Sequence, residues 1–368
     1  MKLKDLLACT ITGLLLCTSC IKDEAPNAEA DILSCILPNG ILQREPIIQN
    51  NSVTVLVKPN ADITNQAPKF ILTEGATITP KSGTTRNFAQ PQKYEVSSES
   101  GKWKKTYTVS FVIDEIPTYY AFEDTLVTDQ SKGSYFIFAD KSINGSLMEW
   151  ASGNPGFRLT GVAGNAYDYP TVQDENGIGG SKCVKLITRE TGSFGNRFGM
   201  PIAAGNLFMG TFNVASALTD ALKSTQFGYP FYHKPTKITG YYKFVAGDKF
   251  MSKGEEVPGK KDVFNIYAMF YETNENTASL DGYFKANGYK DPSLVAFAII
   301  NNPKESNEWV PFELPFNYDY GKEVDPDKLE DGKYNIAIVF SSSIDGDVFE
   351  GAPGSTLWLD DIKLSYEN

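Results

Sequence analysis

At 368 residues, 41% of them hydrophobic, the chain is long enough to bury two separate cores. Its net charge of -11 argues against nucleic acid and against an anionic membrane surface as partners. A single histidine, His233, excludes a zinc centre built on several histidines and makes carboxylates the expected acid and base of any reaction, with His233, which reads as an ordinary surface residue, the one alternative base.

Residues 1–19 read as a lipoprotein signal peptide. Lys2 and Lys4 supply the basic start, and the apolar run Leu6 to Leu16 is too short to span a bilayer. Thr18 and Ser19 precede Cys20, the expected lipidation site, and residues 20–30 form a polar linker. Cys20-Ile21-Lys22-Asp23-Glu24 resembles the acidic export signal that carries lipoproteins to the outside of some Gram-negative cells. The expected location is therefore the outer membrane, lipid-anchored and facing the exterior, with membrane contact through the lipid alone. Cys35 and Cys183 are expected as buried thiols in different domains, not as a disulfide.

Residues 31–114 alternate short strands with turns. Val53 to Val57 is β-branched and bounded by Asn51 and Pro59, and Lys105 to Val112 puts Tyr107, Val109 and Phe111 on one face. This spacing predicts an immunoglobulin-like sandwich. Gly75-Ala76-Thr77-Ile78-Thr79-Pro80, Tyr94-Glu95-Val96 and Tyr107-Thr108-Val109 resemble the N-terminal modules of surface lipoproteins from glycan-utilising bacteria, which act as spacers. Trp103, beside Lys102, Lys104 and Lys105, reads as a hairpin residue covering the sandwich edge, with a sugar platform as the alternative.

A second domain spans residues 118–368. Gly156 to Leu159 and Lys182 to Thr188 read as extended, and Val214 to Gln226 as the one good helix, ended by Gly228. In Ile238 to Phe244, Ile238, Tyr242 and Phe244 face one way and Lys237, Thr239, Tyr241 and Lys243 the other. Val263 to Tyr271 offers Phe264, Ile266, Ala268 and Phe270 to the core and leaves Asn265, Tyr267 and Tyr271 opposite. In Trp309 to Phe316, Trp309 and Glu313 point out, and Pro311 with Pro315 sets the strand at an edge. The fold class is all-β: an immunoglobulin-like sandwich followed by a larger two-sheet jelly roll with one short helix.

Pro235 to Lys243, Asp262 with Ile266-Tyr267-Ala268, the Trp309-to-Phe316 strand and Phe340 to Asp361 together resemble the putative carbohydrate metabolism domain family. The resemblance implies a jelly-roll sandwich in envelope lipoproteins linked to glycan use, and no agreed activity.

Within the last strand the apolar phase flips at Asp360-Asp361, between Leu357/Leu359 and Ile362/Leu364. A β-bulge there restores one buried face. Closing acids of this kind in carbohydrate-binding jelly rolls often hold a structural calcium with a Glu from the opening strand. Glu123, Asp360 and Asp361 are thus the candidate metal ligands, backbone carbonyls completing the site. Tyr241, Tyr267, Tyr271 and Trp309, with Asp262 and Asn265 beside them, are the candidate carbohydrate-binding residues, since sugar rings stack on aromatic faces. Paired carboxylates for glycoside hydrolysis would come from Asp262, Glu272, Asp281 and Asp345. Ser341-Ser342-Ser343 lacks the nucleophile elbow and reads as loop hydrogen bonding. The expected function is a non-catalytic surface glycan-binding protein that works with other glycan-uptake proteins. The alternatives are a glycoside hydrolase and a structural or adhesion subunit that contacts partner proteins.

Overall fold

The structure is a computed structural model that describes residues 26–367 except 38–39, 43–44, 60, 114, 129–133, 142–146 and 276. The expected signal peptide and Cys20 lie outside the described residues. The chain divides into two compact units, Met1–Val55 with Asp62–Phe111 and Leu56–Ala61 with Val112–Asn368.

The N-terminal unit is all-β. Its five-stranded sheet runs in the order Ile47–Gln49, Ser52–Val57, Lys104–Ile113, Gln92–Ser97, Thr77–Thr79, and Ile32–Ile36 pairs with Lys69–Leu72 in a second, two-stranded sheet. Alternation explains the packing of the central strands: Tyr94, Val96, Tyr107 and Val109 are buried, while Lys93, Glu95 and Thr106 between them face water; Val53 and Val55 to Val57 are buried as well. Cys35 is a buried free thiol, its pKa pushed up to about 12 by burial. Trp103 sits beyond the hairpin turn, where the Ser98 N–H donates to its carbonyl. At 63% exposure it projects into solvent and does not cover the sandwich edge as expected.

The C-terminal unit is a two-sheet sandwich. The larger sheet runs Leu294–Ile299, Asn265–Glu272, Tyr334–Ser341, Asn206–Phe212, Leu147–Ala151, Phe136–Lys141, Thr125–Val127. The smaller runs Thr171–Asp174, Cys183–Ile187, Thr356–Tyr366, Pro235–Val245, Ser306–Pro315, so the Pro-containing strand does lie at an edge. Phe244, Phe264, Ile266, Phe340, Leu357, Leu359, Ile362 and Leu364 are among the side chains of the shared core. Tyr119–Tyr120, which opens this unit, pairs with Ile362 and Lys363 of its last strand, so first and last strands are joined by backbone hydrogen bonds.

The bulge in the last strand is present. Thr239 pairs with Lys363 and Tyr241 with Asp360, so two steps on one strand answer three on the other. Asp361 takes up the extra residue with φ 51°, and Leu357, Leu359, Ile362 and Leu364 all end in the core.

Two local expectations fail. Val214 to Gln226 is not a helix: it forms 3-10 turns at Val214–Ser216 and Ala221–Ser224, then the strand Thr225–Phe227. Backbone pairing of Thr225–Phe227 with Asn206–Phe212 outweighs the helical spacing, and Val214 and Leu218 stay partly exposed. Gly156 to Leu159 is not extended: Asn154–Arg158 is a helical turn with Pro155 in its first turn, a position where a missing N–H costs nothing. Short α-helical turns also occur at Gly192–Arg197, Tyr283–Ala286 and Pro326–Glu330. Among the described residues no helix is long and apolar enough to cross a membrane.

Candidate functional site

The outward face of the smaller sheet carries a row of alternating aromatic and cationic side chains. In register, Lys243 lies opposite Trp358, and Trp358 lies opposite Lys185. The Lys243 ammonium sits 4.4 Å from the centre of the Trp309 ring and 5.5 Å from that of Trp358, and the Lys185 ammonium is 5.3 Å from Trp358. Such contacts are worth about 0.5–1 kcal/mol where solvent reaches them. Asp174 fixes one end. It accepts a hydrogen bond from the Trp358 indole at 3.3 Å and pairs with Lys185 at 3.3 Å. Burial opposes its ionisation, but hydrogen bonds from Asn176 and Trp358 and the charge of Lys185 hold its pKa below the usual range. Tyr241, 38% exposed, lies one alternate position along the same face. Strands lie about 4.8 Å apart, so the row from Trp309 to Lys185 crosses four strands in roughly 14 Å.

Trp358 is absent from the residues singled out by sequence. The signal was there: alternation that sends Leu357 and Leu359 inward sends Trp358 outward.

The outward face of the larger sheet is not open. Tyr267 and Tyr271 are 4% and 0% exposed, which corrects the expectation that they line an exposed platform. The Tyr267 ring packs against Tyr289 and Phe297, and the Tyr271 hydroxyl donates to the Phe227 carbonyl at 2.5 Å while accepting from Asn335 Nδ2 at 3.1 Å. Asn265 is buried too and donates to the Tyr289 hydroxyl at 2.8 Å. A layer of loops and short turns covers this sheet and leaves a cleft of about 190 Å³ between them. Phe157, Phe194, Phe198, Phe208, Phe212 and Phe349 are among its walls. Among the described residues Asp347 is the one carboxylate in the lining, and Lys285 holds it at 2.5 Å.

Each of the four candidate catalytic carboxylates has its own protein partner. Asp262 is 1% exposed. Its Oδ2 accepts from Ser343 Oγ (2.6 Å), the Ala352 N–H (2.7 Å) and Ser355 Oγ (2.7 Å), and its Oδ1 from the Val263 N–H. Burial pushes its pKa up against the pull of these bonds. It ties together the loop before the last strand, and neither a substrate nor a sugar can reach it, contrary to expectation. Glu272 is held by Lys328 at 2.6 Å. Asp281 accepts from the Tyr283 N–H, and burial raises its pKa. Asp345 pairs with Lys260.

The acids expected to hold calcium have separate partners. Glu123 accepts from the Lys182 N–H at 3.1 Å. Asp360 is buried and accepts from the Ile178 N–H at 2.8 Å and from Ser181 Oγ at 3.2 Å. Asp361 accepts from the Tyr119 hydroxyl. Calcium needs six to eight converging oxygens, and each of these carboxylates already accepts from a protein donor. Among the described residues no group of three or more His, Cys, Asp or Glu is arranged to hold a metal.

Ser342 and Ser343 are buried and hydrogen-bonded to Thr188, as loop hydrogen bonding requires. His233 stacks on Tyr366, with Glu115 3.7 Å from its Nε2. Cys183 is a buried free thiol whose pKa burial pushes up to about 12.

Residues 121–365 match the family described as the putative carbohydrate metabolism domain, and residues 32–110 the one described as the N-terminal domain of surface glycan-binding proteins. A crystal structure described as a putative glycoside hydrolase from Bacteroides thetaiotaomicron is 52% identical, with a TM-score of 0.69, over 94% of this chain and 99% of its own. Another, described as a putative glycoside hydrolase from Bacteroides vulgatus, is 48% identical, with a TM-score of 0.67, over 69% of this chain and 99% of its own. No curated protein matches the chain.

Proposed function

Since the chain belongs to the putative carbohydrate metabolism domain family, we propose that it is a cell-surface glycan-binding protein that acts without catalysis. The observation that carries this reading is the half-buried Trp309–Lys243–Trp358–Lys185 row on the outward face of the smaller sheet. Sugar rings expose apolar C–H faces that pack on indoles, and cationic and hydroxyl groups beside them satisfy the sugar's oxygens. The match of residues 32–110 to the N-terminal domain of surface glycan-binding proteins supports the same reading, with that unit as a spacer. Cys20 would carry the lipid that anchors the protein to the outer membrane facing outward. Other glycan-uptake proteins would be its partners there.

The descriptions of the two related crystal structures favour hydrolysis as a second reading. Hydrolysis needs two carboxylates on either side of one bond, about 5–10 Å apart. Against it stands a cleft whose one described carboxylate, Asp347, is already paired with Lys285.

The test is retention of the purified chain in native gels cast with dextran, galactan, xylan, polygalacturonate or dextran sulfate, with a reducing-end assay on the same polymers. Retention by at least one polymer, lost in Trp358→Ala and Trp309→Ala and unaccompanied by new reducing ends, supports binding. Reducing ends released by the wild type would replace it with hydrolysis, and no retention by any polymer would sink it.

A further inference from the structure

The charges around the aromatic row are unequal. Lys185 is answered by Asp174. Asp360, on the same face, is buried beneath the Ile178–Ser181 turn, which supplies its hydrogen bonds. Among the described residues Lys243 has no carboxylate within ion-pair distance. Its ammonium rests between two indole faces. Lys243 is thus the one cation of the row without a carboxylate partner of its own.

An ammonium held over aromatic faces has lost part of its hydration but has no salt bridge to break when an anion arrives. A hydrogen bond to a charged acceptor is about twice as strong as a neutral one. A neutral sugar would leave this charge unanswered. An acidic sugar would answer it while its ring packs against the neighbouring indole.

We propose that the row selects glycans with anionic substituents, the ring stacking on Trp309 or Trp358 and the carboxylate or sulfate pairing with Lys243. This rests on the reading of the row as a glycan site and adds the class of sugar. The negative charge of the rest of the chain disfavours polyanions in general, so selection has to come from a local site.

The experiment compares retention of the full chain by polygalacturonate and dextran sulfate with retention by neutral galactan and dextran, at fixed ionic strength. Wild type, Lys243→Gln and, as a surface control, Lys363→Gln are run side by side, with thermal melts to check folding. The expected result is at least tenfold stronger retention by one anionic polymer than by the neutral pair. Lys243→Gln removes that preference and Lys363→Gln keeps it. Preference for polygalacturonate assigns the anion to a carboxylate, and preference for dextran sulfate assigns it to a sulfate. Equal retention of neutral and anionic polymers, or a preference that survives Lys243→Gln, overturns the inference and leaves glycan binding standing. Retention by none of the four, with xylan also failing, overturns both.

Discussion

Gly240 leaves the space that Ile362 fills. A Cβ at position 240 would lie 2.4 Å from Ile362 Cδ1 and 3.1 Å from the Phe312 ring. The bulge at Asp361 is what swings Ile362 inward, so the glycine and the bulge are one device on neighbouring strands. Gly240→Ala should cost about 1–3 kcal/mol by overpacking, roughly 2–4 °C in Tm per kcal/mol for a unit of this size. A melt unchanged within 1 °C would mean that Ile362 can move aside freely.

Asp262 faces hydrogen-bond donors on both oxygens. An asparagine there must aim its NH₂ at one of those donors, whichever way the amide is turned. Asp262→Asn should therefore destabilise the protein by about 2–4 kcal/mol in chemical denaturation, through an unsatisfied buried donor. Glycan retention at 20 °C should be untouched while the variant is folded. Lost retention in a folded Asp262→Asn protein would return this carboxylate to the binding site.

The periodicity of the smaller sheet was legible in the sequence, because one of its faces meets the core and the other meets solvent. Tyr241 and Trp309 were correctly sent outward, and the bulge was visible as a phase flip between Leu359 and Ile362. In the larger sheet the same reasoning misplaced Tyr267 and Tyr271. Asn265–Glu272 is buried on both faces, and alternation cannot reveal a covering layer formed by other segments, such as Phe227 and Leu280 to Tyr289. Asp262 failed for a related reason. Its three Oδ2 donors come from Ser343, Ala352 and Ser355, more than 80 residues away. An isolated acid before a strand looks the same whether it is solvated or saturated. The row itself was half legible: Lys243 and Trp309 were placed, but Trp358 was passed over among the leucines flanking it.

Asp140 gives a pH-dependent handle. Burial raises its pKa to about 6, although the Trp150 indole donates to it at 2.8 Å. The folded state thus holds a proton that the unfolded chain, near 3.8, has released. The stability contributed by this group is complete below about pH 4 and is lost as pH rises through 6. Asparagine can still accept from Trp150 but carries no charge. Asp140→Asn should gain about 1–3 kcal/mol over wild type at pH 7 and little at pH 4. The check is the difference between their denaturation free energies at the two pH values, and a difference that grows toward acid would refute the assignment.

Asp347 and Lys285 form an ion pair in the wall of the cleft. Their side chains are 22% and 17% exposed, and they meet at 2.5 Å. A partly buried pair of this kind is costly to break singly, because one charge is left without its partner in a wall otherwise rich in phenylalanine. Asp347→Asn and Lys285→Met should each lose about 1–3 kcal/mol, and the double variant should lose less than the sum, with a coupling of about 1–2 kcal/mol. Were Asp347 instead one of two catalytic carboxylates, Asp347→Asn would abolish release of reducing ends. If the ion pair serves to hold the cleft wall, the same substitution shifts the melt and leaves retention by the Trp309–Trp358 face unchanged. Measured together, the stability cycle and the retention assay separate these roles: additive losses, with coupling below about 0.3 kcal/mol, would show that the pair does not hold the wall.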